Sequence, residues 1–263
     1  MKTSENTFVW YMLLLPASVC YSLYNYHYFE GFFLYFIFWH FLLVSGVEVA
    51  LHRYFSHKSF KTSRIFQFVL AVWGGLAIQA GPLFWASRHR HHHKHCDQGV
   101  DIHSPIHGFY TSHCGWLFKD STYTNNNFYE KFIPDLLKFR ELYIFEDSKY
   151  MILVVLGIHY ILAGWKGCVI GLVANFTSFH CIQVTNSVDH LYGYKNDKNR
   201  KGCDARNCFW TFPLQLGGNW HANHHYNSKM ATTKIKWWEI DIWYWIILIF
   251  ESLGLIWDVE KLS

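Results

Sequence analysis

Arg88-His89-Arg90-His91-His92-His93-Lys94-His95 decides how the rest of the chain is read: five of its eight residues are imidazoles, in a protein that is otherwise half hydrophobic. Wound as an α-helix, the stretch puts His89, His92 and His93 at i, i+3 and i+4 on one face and turns His91 and His95 elsewhere. Such a face can hold a metal. Working outward, His221, His224 and His225 repeat the spacing, His52 and His57 flank Arg53-Tyr54-Phe55-Ser56, and His190 follows Asn186 by one helical turn. These nine are too many for one metal ion and enough for two, with four or five nitrogens each. Neutral imidazole suits zinc, copper, iron and nickel alike, so ligand type does not name the metal. Number argues against structural zinc, which takes four ligands in a closed site.

The 263 residues, 51% hydrophobic and 20% aromatic, fit one domain, 1–263, of a membrane-embedded class. A membrane-spanning helix needs about 20 mostly apolar residues. Phe8–Tyr24, Phe32–Ala50, Tyr150–Gly164 and Gly167–Thr185 are the candidates, with aromatic residues crowding their ends. Lys2, the run Phe8–Leu15 and Pro16-Ala17-Ser18-Val19-Cys20 imitate a signal peptide, although apolar character continues to Tyr24. A cleaved signal and a retained span would both leave the next helix entering from outside. Ile65–Phe84 is also apolar, but the histidines on either side of it must meet, so it is expected to pack beside the spans without crossing. The last two candidates form a hairpin around Gly164-Trp165-Lys166-Gly167, which returns Asn186 and His190 to the side of the other histidines. Between them and the second histidine stretch the chain is polar, with turn material at Thr124-Asn125-Asn126-Asn127.

The net charge of +4 is small, and suits positive-inside bias and anionic headgroups or acidic substrates, with no nucleic acid as partner. Seven scattered cysteines without a CxxC pair predict neither a disulfide framework nor a zinc ribbon, in keeping with a reducing, cytosol-facing active side. His52 and His57 stand at i, i+5, which is not one α-helical face, so the second is expected where the helix frays or turns. Glu48 lies at i−4 from His52. It either accepts a hydrogen bond from that imidazole or is a solvated carboxylate at a helix end.

HRYFSH (52–57), HRHHH (89–93) and HANHH (221–225), with NSVDH (186–190) before the last, resemble the three histidine boxes and the extra Asn/His pair of membrane fatty-acyl desaturases. The likeness runs from about Gly46 to the C-terminus. It includes Asp97, Asp101 and His103, Gly115-Trp116-Leu117-Phe118, and Trp237-Trp238-Glu239-Ile240-Asp241, and Gln79 and Trp85 match positions near the site. The Trp220–His225 form and Ser104-Pro105-Ile106 are most similar to the bacterial and cyanobacterial acyl-lipid or acyl-CoA Δ9 type.

The resemblance implies an all-α integral membrane protein, with four transmembrane helices and a cytosolic helical cap carrying a histidine-rich dimetal site. It implies two iron ions in a non-haem diiron centre, O2 as co-substrate, and a cis double bond, Δ9, formed with two electrons and release of two waters. It assigns His52, His57, His89, His92, His93, His190, His221, His224 and His225 as ligands and Asn186 as a water-mediated one. Asp97, Asp101 and His103 would orient the ligands. The substrate would be an acyl-CoA, acyl-ACP or acyl-lipid. No nucleotide fingerprint, flavin motif or haem-binding domain is present, so electrons would come from a ferredoxin, or from cytochrome b5 with its reductase. The expected location is a bacterial inner membrane, or the endoplasmic reticulum in a eukaryote, with the metal site on the cytoplasmic face. Two departures stand out. Gly218 replaces a frequent Glu before the third box and puts that contact in doubt, and Ile102 replaces a Pro in a turn.

Unmatched histidines read as ordinary polar groups: His40 and His159 inside spans, and His91, His95, His107, His113 and His180 outside the boxes. A hydroxylase or an alkene-forming decarboxylase would use the same boxes with the substrate carbons placed differently. A histidine-rich metal transporter would carry its ligands in mid-span, whereas these lie at span ends or in soluble segments.

Overall fold

Long apolar runs make the first layer of the structure, the first of them helical in spite of Pro16 within it. The computed structural model describes residues 5–118, 126–199 and 201–262. Helix α1 (Glu5–Tyr24) covers the first apolar run, and α2 (Phe33–Ser45) covers the second. Residues 1–4 of the signal-like segment lie outside the described residues, as do Thr124 and Asn125 of the expected turn; α5 (Phe109–His113) comes before that turn, and Asn126 opens α6 (Asn126–Phe132).

Beyond Ser45 the helix does not end. It widens into a π-helix, Gly46–Ser56, in which backbone bonds run from i+5 to i, as in His57 N to His52 O at 3.1 Å. The Ser56 hydroxyl donates to Leu51 O in the same register, at 2.8 Å. A π-turn brings residues five apart onto one side, so the expected fraying at His57 is corrected: His52 and His57 share a face because the helix is wound wider.

Among the described residues, two stretches are long and apolar enough to cross a membrane, Phe33–Ser56 and Lys149–His190. The second holds α7 (Ser148–Ser187), whose backbone leaves helical geometry at Ala163 and at Gly164, where φ is +62°. The chain doubles back there. Cys168 Sγ donates to Leu156 O, and Gly171 lies so close to His159 that an added Cβ would sit 2.2 Å from its Nε2. Both arms pack on α2, through Tyr35 Oη with His159 Nδ1 at 2.6 Å and His40 Nδ1 with Thr177 Oγ1 at 3.0 Å. These two histidines are partnered polar groups.

The apolar Ile65–Phe84 run breaks in two. α3 (Arg64–Gly75) starts at Ser63, whose hydroxyl accepts Phe66 N, and has 12 residues. That is about 18 Å at 1.5 Å per residue, short of a bilayer core of about 30 Å. It lies along α2 and the π-helix, with Trp73 Nε1 on Leu42 O and Tyr54 Oη on Gln67 Oε1. α4 (Pro82–His95) begins with Pro at its first turn and carries the central histidine stretch. The core lies between these elements and the C-terminal α10 (Ile242–Ser252), with Leu43, Leu51, Phe55, Leu70, Leu83, Trp243 and Ile247 buried. A two-stranded pair, β1 (Lys61–Thr62) and β2 (Ile256–Trp257), fastens the C-terminal segment beside the first box.

Close approach at Gly171 predicts that Gly171→Leu, by overpacking the hairpin, lowers stability by roughly 1–3 kcal/mol, read as a lower midpoint of thermal unfolding in detergent. The first free N–H groups of α4, on Leu83 and Phe84, donate to the buried Glu146 carboxylate at 3.0 Å each, and burial pushes that carboxyl from 4.5 up to about 7. Between those values the folded chain binds more protons than the unfolded one, so this group's contribution to stability is lost as pH rises from 4.5 through 7. A stability–pH profile of Glu146→Gln should lack that component.

Candidate metal centre

Four segments deliver histidines to one place: the π-helix, α4, the 3-10 turn Val188–His190 that ends α7, and α9 (His221–Tyr226), which follows the short α8 (Phe212–Gln215). All nine expected histidines converge, in two groups. His52, His57, His89, His93 and His224 form the first. Their Nε2 atoms stand 2.9 Å apart for His52–His224, 2.8 Å for His57–His89, and 3.0 Å for both His89–His93 and His93–His224. In the second, His190–His221 and His221–His225 are 3.0 Å apart and His92–His225 is 3.3 Å. The i, i+3, i+4 stripes do not go whole to one group: α4 gives His89 and His93 to the first and His92 to the second, while α9 gives His221 and His225 to the second and His224 to the first.

Carboxylates fix the rings from behind. Glu48 Oε2 lies 3.2 Å from His52 Nδ1, Asp101 Oδ2 lies 2.8 Å from His92 Nδ1, and Asp97 Oδ2 lies 2.9 Å from His190 Nδ1. A carboxylate only accepts, so each Nδ1 carries the proton and each Nε2 presents a bare lone pair inward. Lone pairs about 3 Å apart repel unless a cation lies between them. Burial, followed by the nearness of neighbouring imidazoles, holds His89, His93, His221, His224 and His225 well below the usual histidine range. These five rings therefore stay neutral, which is the form that binds metal, whereas at His92 burial is outweighed by Asp101, which draws that ring the other way, above the usual range. The donor set fits two metal ions.

Asp97 anchors more than His190, since its oxygens also accept Ser104 Oγ at 2.6 Å and Asp204 N at 2.7 Å. Burial would raise this carboxyl, but the His190, Ser104 and Asp204 bonds outweigh it and hold it at about 2. Asp101 is fully buried and also accepts Asp97 N. It too lies below its ordinary range, burial being overcome by His92. His103 is buried beside the His92 ring, with its Nδ1 3.8 Å from Asp101, and burial pushes it down to about 3. Asn186 sits one turn before His190, its Nδ2 donating to Gln183 Oε1. Gly218 leaves room for Glu48: an added Cβ there would stand 2.6 Å from Glu48 Oε1.

Of the unmatched histidines, His91 packs on Phe128 and Phe132, and His113 bonds His180 and Ser187. Several positioning groups escape sequence reasoning. Asn223, between the α9 ligands, exchanges bonds with Asn207 and donates to the buried Glu239, which also accepts Ile235 N and Lys236 N. Arg53 reaches Asp241 at 2.9 Å and Ala231 O at 2.6 Å, both charges buried. The advance signals were the polar residues inside the histidine boxes and the Trp237–Asp241 match, neither of which names the pairings. The cysteine expectation is corrected: Cys96 and Cys203, 107 residues apart, form a disulfide beside the second group. Chain spacing hid the pair because the folding of α4 against the loop before α9 creates it. The support that the cysteines lent to a reducing compartment goes with that correction.

Comparison with known proteins points the same way. The fatty acid desaturase family model matches residues 29–248. The sn-2 palmitoyl-lipid 9-desaturase of Nostoc sp. (strain 36) is 35% identical over 225 residues, 83% of this chain and 78% of the relative. An acyl-CoA 5-desaturase of Anemone leveillei is 36% identical over 82% of this chain and 68% of its own. The hex-5-enoyl-[acyl-carrier protein] acetylenase of Moorena producens is 33% identical over 83% and 74%. A family match across most of the length, with such relatives, makes the chain a member of the fatty acid desaturase family, an oxidoreductase that desaturates fatty-acyl chains.

Proposed function

We propose that the two histidine groups hold a non-haem pair of iron ions and that the chain forms a cis double bond in a saturated acyl chain at the Δ9 position. The observation that carries this reading is the pair of inward-facing Nε2 sets, five and four strong, backed by buried carboxylates. Bound there, iron would supply the oxidising power of O2 reduction: with two electrons and two protons, two hydrogens leave adjacent methylenes and two waters form.

The chain's own residues do the rest. Glu48, Asp97 and Asp101 hold His52, His190 and His92 in the Nδ1–H form, so that ring orientation does not change with the charge of the centre. His103 extends the Asp101 contact, and Asn186 is assigned a water-mediated place in the four-histidine group. Ring stacking of His93 on His225, centroids 4.2 Å apart, joins the groups. Burial of the nitrogens keeps bulk water from them.

Four crossings, α1, α2 and the two arms of α7, with the remaining helices as a cap on the cytoplasmic face, would leave all nine histidines on one side. The Δ9 position and a lipid-bound acyl chain are taken from the Nostoc relative, while the Anemone and Moorena relatives act on CoA and carrier-protein substrates. Electrons would come from a separate ferredoxin, or from cytochrome b5 with its reductase.

Purified protein should contain about two iron ions per chain, and both His224→Ala, in the first group, and His221→Ala, in the second, should lower that content, measured by elemental analysis. Glu48→Gln should weaken iron binding by about 10–100-fold, in the range found for groups that orient metal-bound histidines, as read by competition with a chelator; unchanged retention would leave Glu48 a bystander. A host lacking its own desaturase and expressing the chain with a competent electron donor should accumulate a Δ9-monounsaturated fatty acid, and one expressing His92→Ala should not. Gas chromatography separates this product from a hydroxylated acid or a terminal alkene.

A further inference from the structure

The Cys96–Cys203 disulfide takes no part in the chemistry above, yet it touches the centre at several points. Cys96 directly follows α4, four residues after His92, and its sulfur lies in one 4.8 Å cluster with the ligand nitrogens of His92, His190 and His225. Cys203 Sγ is 3.3 Å from His225 Nδ1. The residues that follow each cysteine are joined as well: Asp97 accepts from His190 and from Asp204 N. The bond therefore closes a strap over the four-histidine group, tying the end of α4 to the loop before α9. The sulfurs are buried with Ala205. Cys203 nevertheless sits among exposed residues, Lys201, Gly202 and Asp204, on the loop before α9.

We propose that Cys96 and Cys203 form a thiol–disulfide exchange site that latches the four-histidine group, closed by hydrogen peroxide and opened by a dithiol. This rests on the reading of the histidines as a two-iron centre. On closing, two thiols and one peroxide give the disulfide and two waters: the O–O bond breaks, the S–S bond forms, and the electron pair passes from sulfur to oxygen. On opening, a dithiol attacks Cys203 Sγ, the S–S bond breaks, and the electron pair and two protons end on the Cys96 and Cys203 thiols while the dithiol becomes a disulfide. Closed, the strap holds His225 and Asp97 in register with His92. Open, the two segments lose their covalent link and stay joined through the Asp97–Asp204 N hydrogen bond, and the second group keeps its metal less firmly.

The test uses the full chain in detergent, loaded with iron and treated either with one equivalent of peroxide or with a non-chelating phosphine, which opens the same S–S bond as the dithiol, giving both thiols and a phosphine oxide with oxygen from water. Peptide mass mapping should find the Cys96–Cys203 link only in the peroxide-treated sample. Transfer of iron to a chelator should be about tenfold faster after reduction, the scale on which supporting contacts alter metal affinity. A Cys96→Ser/Cys203→Ser double variant should match the reduced protein with or without phosphine. Failure of peroxide to form the link overturns the proposal, as does equal iron release from linked and reduced protein. Iron retained equally in both states sinks the latch alone, whereas iron absent from every form removes the two-iron reading and the latch with it.

Discussion

Nine imidazole nitrogens crowded into one buried volume impose the constraint on which the rest of this structure depends. A neutral imidazole has one N–H and one lone pair, and where a carboxylate claims the N–H the lone pair must face the neighbouring rings. Without a cation that arrangement is repulsive, and protonation of His221, His224 or His225 does not relieve it, because burial and mutual repulsion disfavour a positive charge on those rings. Glu48, Asp97 and Asp101 place three negative groups one ring away from the cluster. Two divalent cations would then sit in near balance with their surroundings, which a buried set of charges requires.

Holding such a cluster together takes ties between segments far apart in sequence. Arg90, on the face of α4 away from the metal groups, donates to Phe55 O and Ser56 O at the end of the π-helix and pairs with Asp135. It satisfies carbonyls that a helix end leaves without partners and binds the first box to the second. Arg53 does the same between the first box and the C-terminal segment, through Asp241 and Ala231 O. Asn223 and Glu239 hold α9 against the loop that leads into α10. Each box thus carries, between its ligands, a polar residue that faces backward and locks the box to a neighbour.

The sequence made some of this legible. The i, i+3, i+4 stripes are a property of the α-helix itself, so α4 and α9 could be read from spacing alone, and the hairpin of α7 followed from the need to return His190 to the other histidines. His57 could not be placed that way, because α-helical and π-helical winding differ by one residue per hydrogen-bonded turn and nothing in HRYFSH marks the wider one. Glu48 was recognisable as a candidate from its place one turn before His52. Its fit against Gly218 was not, because that contact joins residues 170 positions apart in the chain. The same limit hid the Cys96–Cys203 pair and the Asn223–Glu239 bond. Local periodicity reports which side chains share a face, while the partner across the interface exists only once both faces have folded together.

The division of the stripes gives the spacing a reason. Two histidines at i and i+4 would serve one metal, and the third, at i+3, projects slightly to the side. In α4 that third residue, His92, belongs to the group that α9 supplies with His221 and His225, and in α9 the corresponding residue, His224, belongs to the group that α4 supplies with His89 and His93. Each short helix therefore contributes to both groups, in the proportions two to one and one to two. A rotation of either helix would disturb both groups together, and a metal ion in one group would fix the rod that the other shares. The separation between the groups thus follows from helical rise together with the packing and polar ties that hold the two short helices against their neighbours.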